Sequence, residues 1–112
     1  MSNPPSVVDA YVAAINAADL DGLVGLFAPD AVLVNPVGTF TGTAEIRGFY
    51  RDVVLAGQAV LTVGTVDTAG PAVTAELLAR SPLDPDGEPL RAIDRFRVGA
   101  DGRITTLEIH YT

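Results

Sequence analysis

The chain contains no cysteine, no tryptophan and only one histidine, His110. The absence of cysteine excludes disulfide bonds, thiolate metal sites and a cysteine nucleophile. One histidine and scattered carboxylates also lack the spacing of a metal-binding cluster. We therefore expect no metal and no other cofactor.

Positive charge is scarce as well. Seven basic and 14 acidic side chains give a formal net charge of -7, and no run of Lys or Arg occurs. Nucleic acid needs clustered cations to displace its counterions, and an anionic membrane surface repels a negative protein, so neither is an expected partner.

No apolar run reaches membrane-spanning length. Residues 1–5 hold no basic region followed by an apolar core, so we expect no signal peptide and a cytoplasmic location.

The length of 112 residues, of which 48% are hydrophobic, predicts one folded domain over residues 1–112. Apolar residues recur at helical spacing in three segments of the first half, around Tyr11, Leu23 and Phe49. The stripe of the second segment extends to Phe27, and Pro29 closes it. We therefore predict three helices, with a short strand from about residue 31 to 35 after the second.

The second half of the chain is predicted to form strands, over residues 59–68, 71–81, 88–99 and 104–111. The pairs Asp86-Gly87 and Asp101-Gly102 are typical of hairpin turns between them. Helices followed by hairpin-linked strands predict an α+β fold with a mainly antiparallel sheet. A twisted sheet of this size, with helices packed on one face, tends to curl and leave a cavity at its open end.

The strand around Asp94 has an unusual alternation. Asp94 shares one face with apolar residues such as Ala92 and Phe96, whereas Arg95 and its neighbouring arginines share the other. Burying an ionised carboxylate is costly, so we expect a raised pKa and a protonated, hydrogen-bond-donating Asp94 at neutral pH. The alternative is that Asp94 lies at a strand bend or pairs with an arginine across the sheet edge.

Two further polar residues could meet Asp94 in the predicted cavity. Tyr11 lies in the apolar face of the first helix, where its hydroxyl needs a partner, and Asn35 precedes Pro36. Either could have an ordinary structural role, Tyr11 as a helix-face residue and Asn35 as a turn former. His110 could act as a base only if it reached the cavity; otherwise it is a strand-end residue.

Several segments of the chain resemble bacterial ketosteroid isomerases: residues 11–16, 19–24, 26–28, 30–31, 35–38, 42–44, 46–47, 49–50 and 93–97. The similarity is loose between residues 55 and 90. The resemblance implies the nuclear transport factor two-like superfamily, a cone of strongly curved sheet with three helices from the N-terminal half. That superfamily also holds limonene epoxide hydrolases, polyketide cyclases and noncatalytic binding proteins, so the fold alone says little about function.

The resemblance implies a steroid delta-isomerase, which moves the double bond of a 3-oxo-5-ene steroid to the conjugated 4-ene position. A base takes a proton, the negative charge moves to the ketone oxygen as a dienolate, and the same base returns the proton. On this resemblance, Tyr11 and protonated Asp94 would donate hydrogen bonds to that oxygen, and Tyr50 would donate to Tyr11. Donors aimed at developing charge in a dry site are a strong catalytic device.

The resemblance also implies a small apolar steroid or phenolic ligand and a homodimer built on the outer face of the sheet. Phe49, Val60 and Phe96 would be walls for a flat sterol, although each could equally be plain core.

Asn35 departs from the family, which places its aspartate base at this position before the Pro-Val-Gly sequence. A carboxamide has no useful basicity near neutral pH and cannot shuttle the proton. Two hypotheses follow. The chain is either an isomerase whose base has been disabled by an Asp-to-Asn change, or a noncatalytic small-molecule binding module of the same superfamily.

Overall fold

The structure is a computed structural model that describes residues 7–112. Residues 1–5, on which the signal-peptide expectation rests, lie outside that range. Within residues 7–112, no helix combines the length and the apolar character that crossing a membrane requires.

Within the described range, six strands form one sheet: β1 (Phe27–Asn35), β2 (Gly38–Thr41), β3 (Val60–Ala69), β4 (Ala72–Arg80), β5 (Leu90–Val98) and β6 (Ile104–Tyr111). Their order across the sheet is β2-β1-β6-β5-β4-β3. The pair β1–β6 is parallel and the other four pairs are antiparallel. The predicted α+β class with a mainly antiparallel sheet is confirmed, and β3 to β6 begin and end within two residues of their predicted bounds.

In the part of the chain that the structure describes, three helices accompany the sheet: α1 (Val7–Asn16), α2 (Leu20–Val24) and α3 (Gly42–Phe49), which continues into a π-helical segment (Tyr50–Val54). The α1 residues Val8, Tyr11 and Ile15 are buried, as helical spacing predicts. The wide π-helical turn closes with the Leu55 N–H donating to the Tyr50 carbonyl at 2.8 Å. The three expected helices are therefore present, and their apolar faces cover one side of the sheet.

The prediction for the end of α2 is wrong. The helix stops at Val24, and Phe27 belongs to β1, which begins four residues earlier than expected. Pro29 cannot occupy a helix interior, and it disfavours helical geometry in the residue before it. The strand tolerates Pro29 because the pairing of β1 with β6 is irregular between Phe27 and Val32.

The two hairpin signals differ in outcome. Asp101-Gly102 forms the predicted turn between β5 and β6, and Gly102 takes a left-handed φ of 83° there. Asp86-Gly87 instead lies inside a longer connection, residues 81–89, between β4 and β5. Pro82, Pro85 and Pro89 in this connection lack the N–H that a strand ladder requires.

Candidate active site

A cavity of about 300 Å³ lies between the helices and the inner face of the sheet. Its volume is at the lower end of the range for small-molecule sites. The residues that line it are mostly apolar: Tyr11 and Ile15 from α1; Phe49, Val53 and Val54 from α3 and its extension; Gly57 and Ala59; Leu61 from β3; Leu77, Ala79 and Arg80 from β4; Ser81, Asp84, Gly87 and Glu88; Leu90, Ala92 and Asp94 from β5; and Ile109 and Tyr111 from β6.

Asp94 is the one carboxylic acid that combines a place in this lining with nearly complete burial, at 2% exposure. It lies in the middle of β5, and its cross-strand partners are Ala75 on β4 and Ile109 on β6. The inward alternation predicted for β5 is confirmed, because Ala92, Asp94 and Phe96 are buried. Asp94 therefore lies neither at a strand bend nor at the sheet edge.

The environment of Asp94 favours its neutral form. Its Oδ1 atom is buried and has no hydrogen-bond partner among residues 7–112. Burial raises its pKa from the ordinary value of 3.8 to about 7, because the apolar surroundings penalise the charged carboxylate. At neutral pH both protonation states are thus populated, whereas the sequence suggested the protonated form. The protonated acid has an O–H to donate and the ionised form only accepts.

Tyr11 and Tyr50 form a buried pair whose hydroxyl oxygens lie 2.7 Å apart. Tyr11 belongs to the cavity lining, whereas Tyr50 lies behind it and is completely buried. Burial raises the pKa of both phenols, and the charges of Tyr50 and Asp94 raise that of Tyr11 further. When Tyr50 donates to Tyr11, the hydrogen of the Tyr11 hydroxyl is left for a group in the cavity.

The aromatic residues around this pair have different positions. Phe49 lines the cavity, and its ring packs edge-on against Tyr50 at 5.1 Å between centroids. Phe96 lies outside the lining, and its ring packs edge-on against Tyr11 at 5.2 Å. Phe96 follows Asp94 by two residues on the same face of β5, so the Tyr11 ring packs against the part of the strand that carries the acid. Phe96 is therefore a support for Tyr11 rather than a wall of the cavity.

The expectation that Val60 is a wall of the cavity is wrong. Its side chain is 47% exposed, and the next residue, Leu61, lines the cavity instead. Successive side chains of a strand point to opposite faces, so an error of one residue in the phase of β3 exchanges the two.

Asn35 is buried, but it lies outside the lining of the cavity. Its amide oxygen accepts hydrogen bonds from the N–H groups of Val37 at 2.7 Å and Gly38 at 3.3 Å. This arrangement is the Asx turn that links β1 to β2. The amide nitrogen of Asn35 is buried and has no hydrogen-bond partner in the described part of the chain. The turn-forming interpretation of Asn35 therefore accounts for its oxygen but not for its nitrogen.

The register of the sheet places Asn35 at the same level as Asp94. In β1, Val34 pairs with Glu108 of β6, so Asn35 comes next to Ile109, which in turn pairs with Asp94. One strand therefore separates β1 from β5, and their backbones are about 10 Å apart at this level. The fold brings Tyr11 and Asp94 to one cavity and leaves Asn35 beyond Ile109.

His110 lies on the other face of β6, where its side chain is exposed and its Nε2 atom is 3.6 Å from a Glu108 carboxylate oxygen. Its neighbours Ile109 and Tyr111 line the cavity. His110 is a strand-end residue that does not reach the cavity.

Some lining residues escaped the sequence-based selection. One of them is Tyr111, which lines the cavity. It continues the period-two alternation of the buried residues Leu107 and Ile109, and that alternation is the signal that could have identified it. Burial and the charge of Asp94 raise the pKa of Tyr111. Asp84 and Glu88 of the loop 81–89 carried no periodic signal, because the loop has no regular structure.

Residues 7–112 contain no group of three or more His, Asp or Glu side chains that could hold a metal ion. The polar groups at the inner end of the cavity are the Tyr11 hydroxyl and the Asp94 carboxyl. Two O–H donors in an apolar cavity can bind one ketone or phenol oxygen and stabilise negative charge that develops on it.

Several solved structures are similar over nearly the whole chain. A provisionally assigned polyketide cyclase from Sinorhizobium meliloti is 26% identical, with a TM-score of 0.83 and coverage of 96% of this chain and 95% of that one. A hypothetical protein with a ketosteroid isomerase-like fold from Catenulispora acidiphila, solved with trimethylamine, is 25% identical, with a TM-score of 0.83 and coverages of 98% and 88%.

A Mycobacterium tuberculosis protein solved with estradiol-17β-hemisuccinate shares the fold at 19% identity, with a TM-score of 0.80 and coverages of 95% and 88%. These likenesses agree with the predicted cone-shaped fold of the nuclear transport factor two-like type. The family model of the SnoaL-like domain matches residues 8–107. The chain therefore belongs to the SnoaL-like domain family, whose fold neighbours include ketosteroid isomerase-like and polyketide cyclase proteins.

Proposed function

We propose that the cavity binds a flat, apolar ketone or phenol of the steroid type, with the ligand oxygen between Tyr11 and Asp94. The observation that carries this proposal is the unpartnered Asp94 carboxyl at the inner end of an apolar cavity that Tyr11 also lines. A buried polar group without a partner costs about 1–3 kcal/mol. A ligand oxygen that accepts from protonated Asp94 and from Tyr11 removes that cost.

The corresponding reaction is the isomerisation of a 3-oxo-5-ene steroid to the conjugated 4-ene. Tyr11 and protonated Asp94 stabilise the charge on the dienolate oxygen, and Tyr50 fixes the Tyr11 hydroxyl through their 2.7 Å contact. Transfer of the proton between the two carbon atoms also requires a base. Asn35 supplies none, so in this proposal the chain is a strongly impaired isomerase that still binds the intermediate-like phenol.

A noncatalytic binding module is the second candidate, and the position of Asn35 favours it. The Asn35 oxygen is held by the Val37 and Gly38 N–H groups, and the residue lies outside the cavity lining. On this alternative, the same cavity holds its ligand without chemical change, and an acid at position 35 confers no activity.

Binding is tested by titration with estradiol, a steroidal phenol, followed by fluorescence or calorimetry. We expect Tyr11→Phe and Asp94→Ala each to weaken binding by about tenfold or more, because each removes a buried hydrogen bond to the ligand oxygen. Arg97→Ala, on the exposed face of β5, is the matched control and should leave the affinity unchanged. Equal affinities in all four proteins would contradict the proposed site.

Catalysis is tested by Asn35→Asp with a 3-oxo-5-ene steroid, followed by the absorbance of the conjugated product. A restored base should raise the rate by about 10²–10⁴-fold. The same substitution should weaken binding of an ionised phenol, because two negative charges then repel. If the Asp variant folds normally and converts none of several 3-oxo-5-ene steroids, the isomerase part of the proposal is wrong and the binding-module candidate replaces it.

A further inference from the structure

The loop of residues 81–89 is fixed over the mouth of the cavity. The Ser81 hydroxyl donates to the carbonyl of Gly57, in the turn after the π-helical segment, and accepts from the Leu83 N–H at 3.1 Å. The N–H of Asp84 donates to the Ser81 carbonyl, also at 3.1 Å. These bonds join the start of the loop, residues 81–84, to the turn after the π-helical segment on the other side of the mouth.

Negative charge predominates at this mouth. Asp84 and Glu88 line it, and Arg80 is the basic residue in the lining. Among the described residues, none of these three side chains has an ion-pair partner within 4.0 Å. A Cβ atom at Gly87 would collide with the Asp84 carboxylate, so the glycine leaves the space that this carboxylate occupies. Asp86, which is exposed in the same loop, adds a third carboxylate nearby.

Apolar side chains continue from the cavity to this mouth. Val53, Leu90 and Tyr111 all line the cavity although about half of each side chain is exposed. Leu90 lies four residues before Asp94 in β5, which corresponds to about 13 Å along the strand. A molecule whose oxygen contacts Asp94 must therefore be elongated and apolar to cover Leu90, and its far end then lies among the mouth residues.

We propose that the ligand of this cavity carries an amine at the end opposite its ketone or phenol, and that Asp84 and Glu88 hold the ammonium group at the mouth. The inference rests on the proposed function, because the unpartnered, almost fully buried Asp94 is what identifies this cavity as a ligand site. Opposite charges attract at the mouth but are screened by solvent, so the preference for an ammonium over a neutral group should be roughly three- to tenfold at low salt.

Three ligands that share one phenol end test the proposal: estradiol, its analogue with a 17β-amino group, and estradiol-17β-hemisuccinate. We expect the amine to bind most tightly and the hemisuccinate most weakly, with the differences shrinking as salt is added. In a double variant, Asp84→Asn with Glu88→Gln, the affinity ratio of amine to estradiol should fall to about one. Asp67→Asn, which removes one exposed negative charge from β3, is the control for a nonspecific effect of charge and should keep the ratio.

The outcomes separate this inference from the proposed function. If all three ligands bind equally and Tyr11→Phe weakens each of them, the phenol site stands and the ammonium site is wrong. If the hemisuccinate binds most tightly, Arg80 dominates the mouth and the ammonium site is again wrong. If none of the three binds, the proposed function itself fails. If the double variant does not fold, the salt dependence of the three affinities in the unaltered chain distinguishes the same outcomes.

Discussion

The buried acid should make the stability of this protein depend on pH in an unusual direction. Asp94 has a pKa of about 7 in the folded chain and an ordinary value of 3.8. Between these values the folded state holds a proton that the unfolded state has lost, so raising the pH favours unfolding. The stability that this group contributes is complete below about pH 4 and is lost as the pH rises to about 7. The difference in pKa corresponds to about 4 kcal/mol, a large share of the 5–15 kcal/mol typical of a domain.

Asp94→Asn replaces the acid by a neutral group of nearly the same shape and should remove this dependence. The assay is urea unfolding of both proteins from pH 4 to pH 8, with the free energy of unfolding compared at each pH. Subtraction cancels the titration of carboxylates that both proteins share. Relative to the Asn variant, the unaltered protein should lose about 4 kcal/mol over this interval.

The matched control is Asp67→Asn, at an exposed position of β3. The difference in unfolding free energy between the unaltered protein and this control should not change by a comparable amount from pH 4 to pH 8. The reasoning about Asp94 is refuted if the difference in unfolding free energy between the unaltered protein and Asp94→Asn stays constant from pH 4 to pH 8. It is equally refuted if the unaltered protein becomes more stable relative to the Asn variant as the pH rises, because such a gain requires that folding lowers the pKa of Asp94.

Other substitutions test the supporting contacts. Tyr50→Phe should weaken estradiol binding by about tenfold in a titration, because the hydroxyl of Tyr11 loses its buried partner. Phe96→Ala should cost about 3–5 kcal/mol of unfolding free energy and Val60→Ala less than about 1 kcal/mol, and similar costs would contradict their assigned positions. Asn35→Ala should cost about 1–3 kcal/mol in the same assay, since two N–H groups lose their acceptor. The family resemblance implies a homodimer, so sedimentation at micromolar concentration should give the mass of two chains, and the mass of one chain would contradict this expectation.

The inward position of Asp94 could be predicted because alternation is a local property of β5. Because three arginines lie on one face of β5 and apolar residues on the other, only one choice of inward-pointing side chains buries the apolar residues. The same principle failed for Val60, since β3 is an edge strand with most of its residues exposed and has no such contrast between its faces. A pattern determines the phase of a strand only where its two faces differ.

Other features depend on contacts between distant segments. Tyr11 and Tyr50 are separated by 39 residues, and only the family resemblance suggested that they meet. Asn35 lies outside the cavity because β6 separates β1 from β5 and because a turn holds the Asn35 oxygen. The first residue of the loop 81–89, Ser81, bonds to Gly57 across 24 residues of the chain. None of these contacts leaves a periodic signal along the chain.

A crystal structure of the protein with estradiol bound tests the central claim most directly. We predict the phenolic oxygen within about 3 Å of both the Tyr11 hydroxyl oxygen and a carboxyl oxygen of Asp94. The steroid skeleton should run along β5 toward Leu90, with its 17-hydroxyl near the loop of residues 81–89. A steroid bound outside the cavity, or bound inside it with the phenol at the mouth, would contradict the claim.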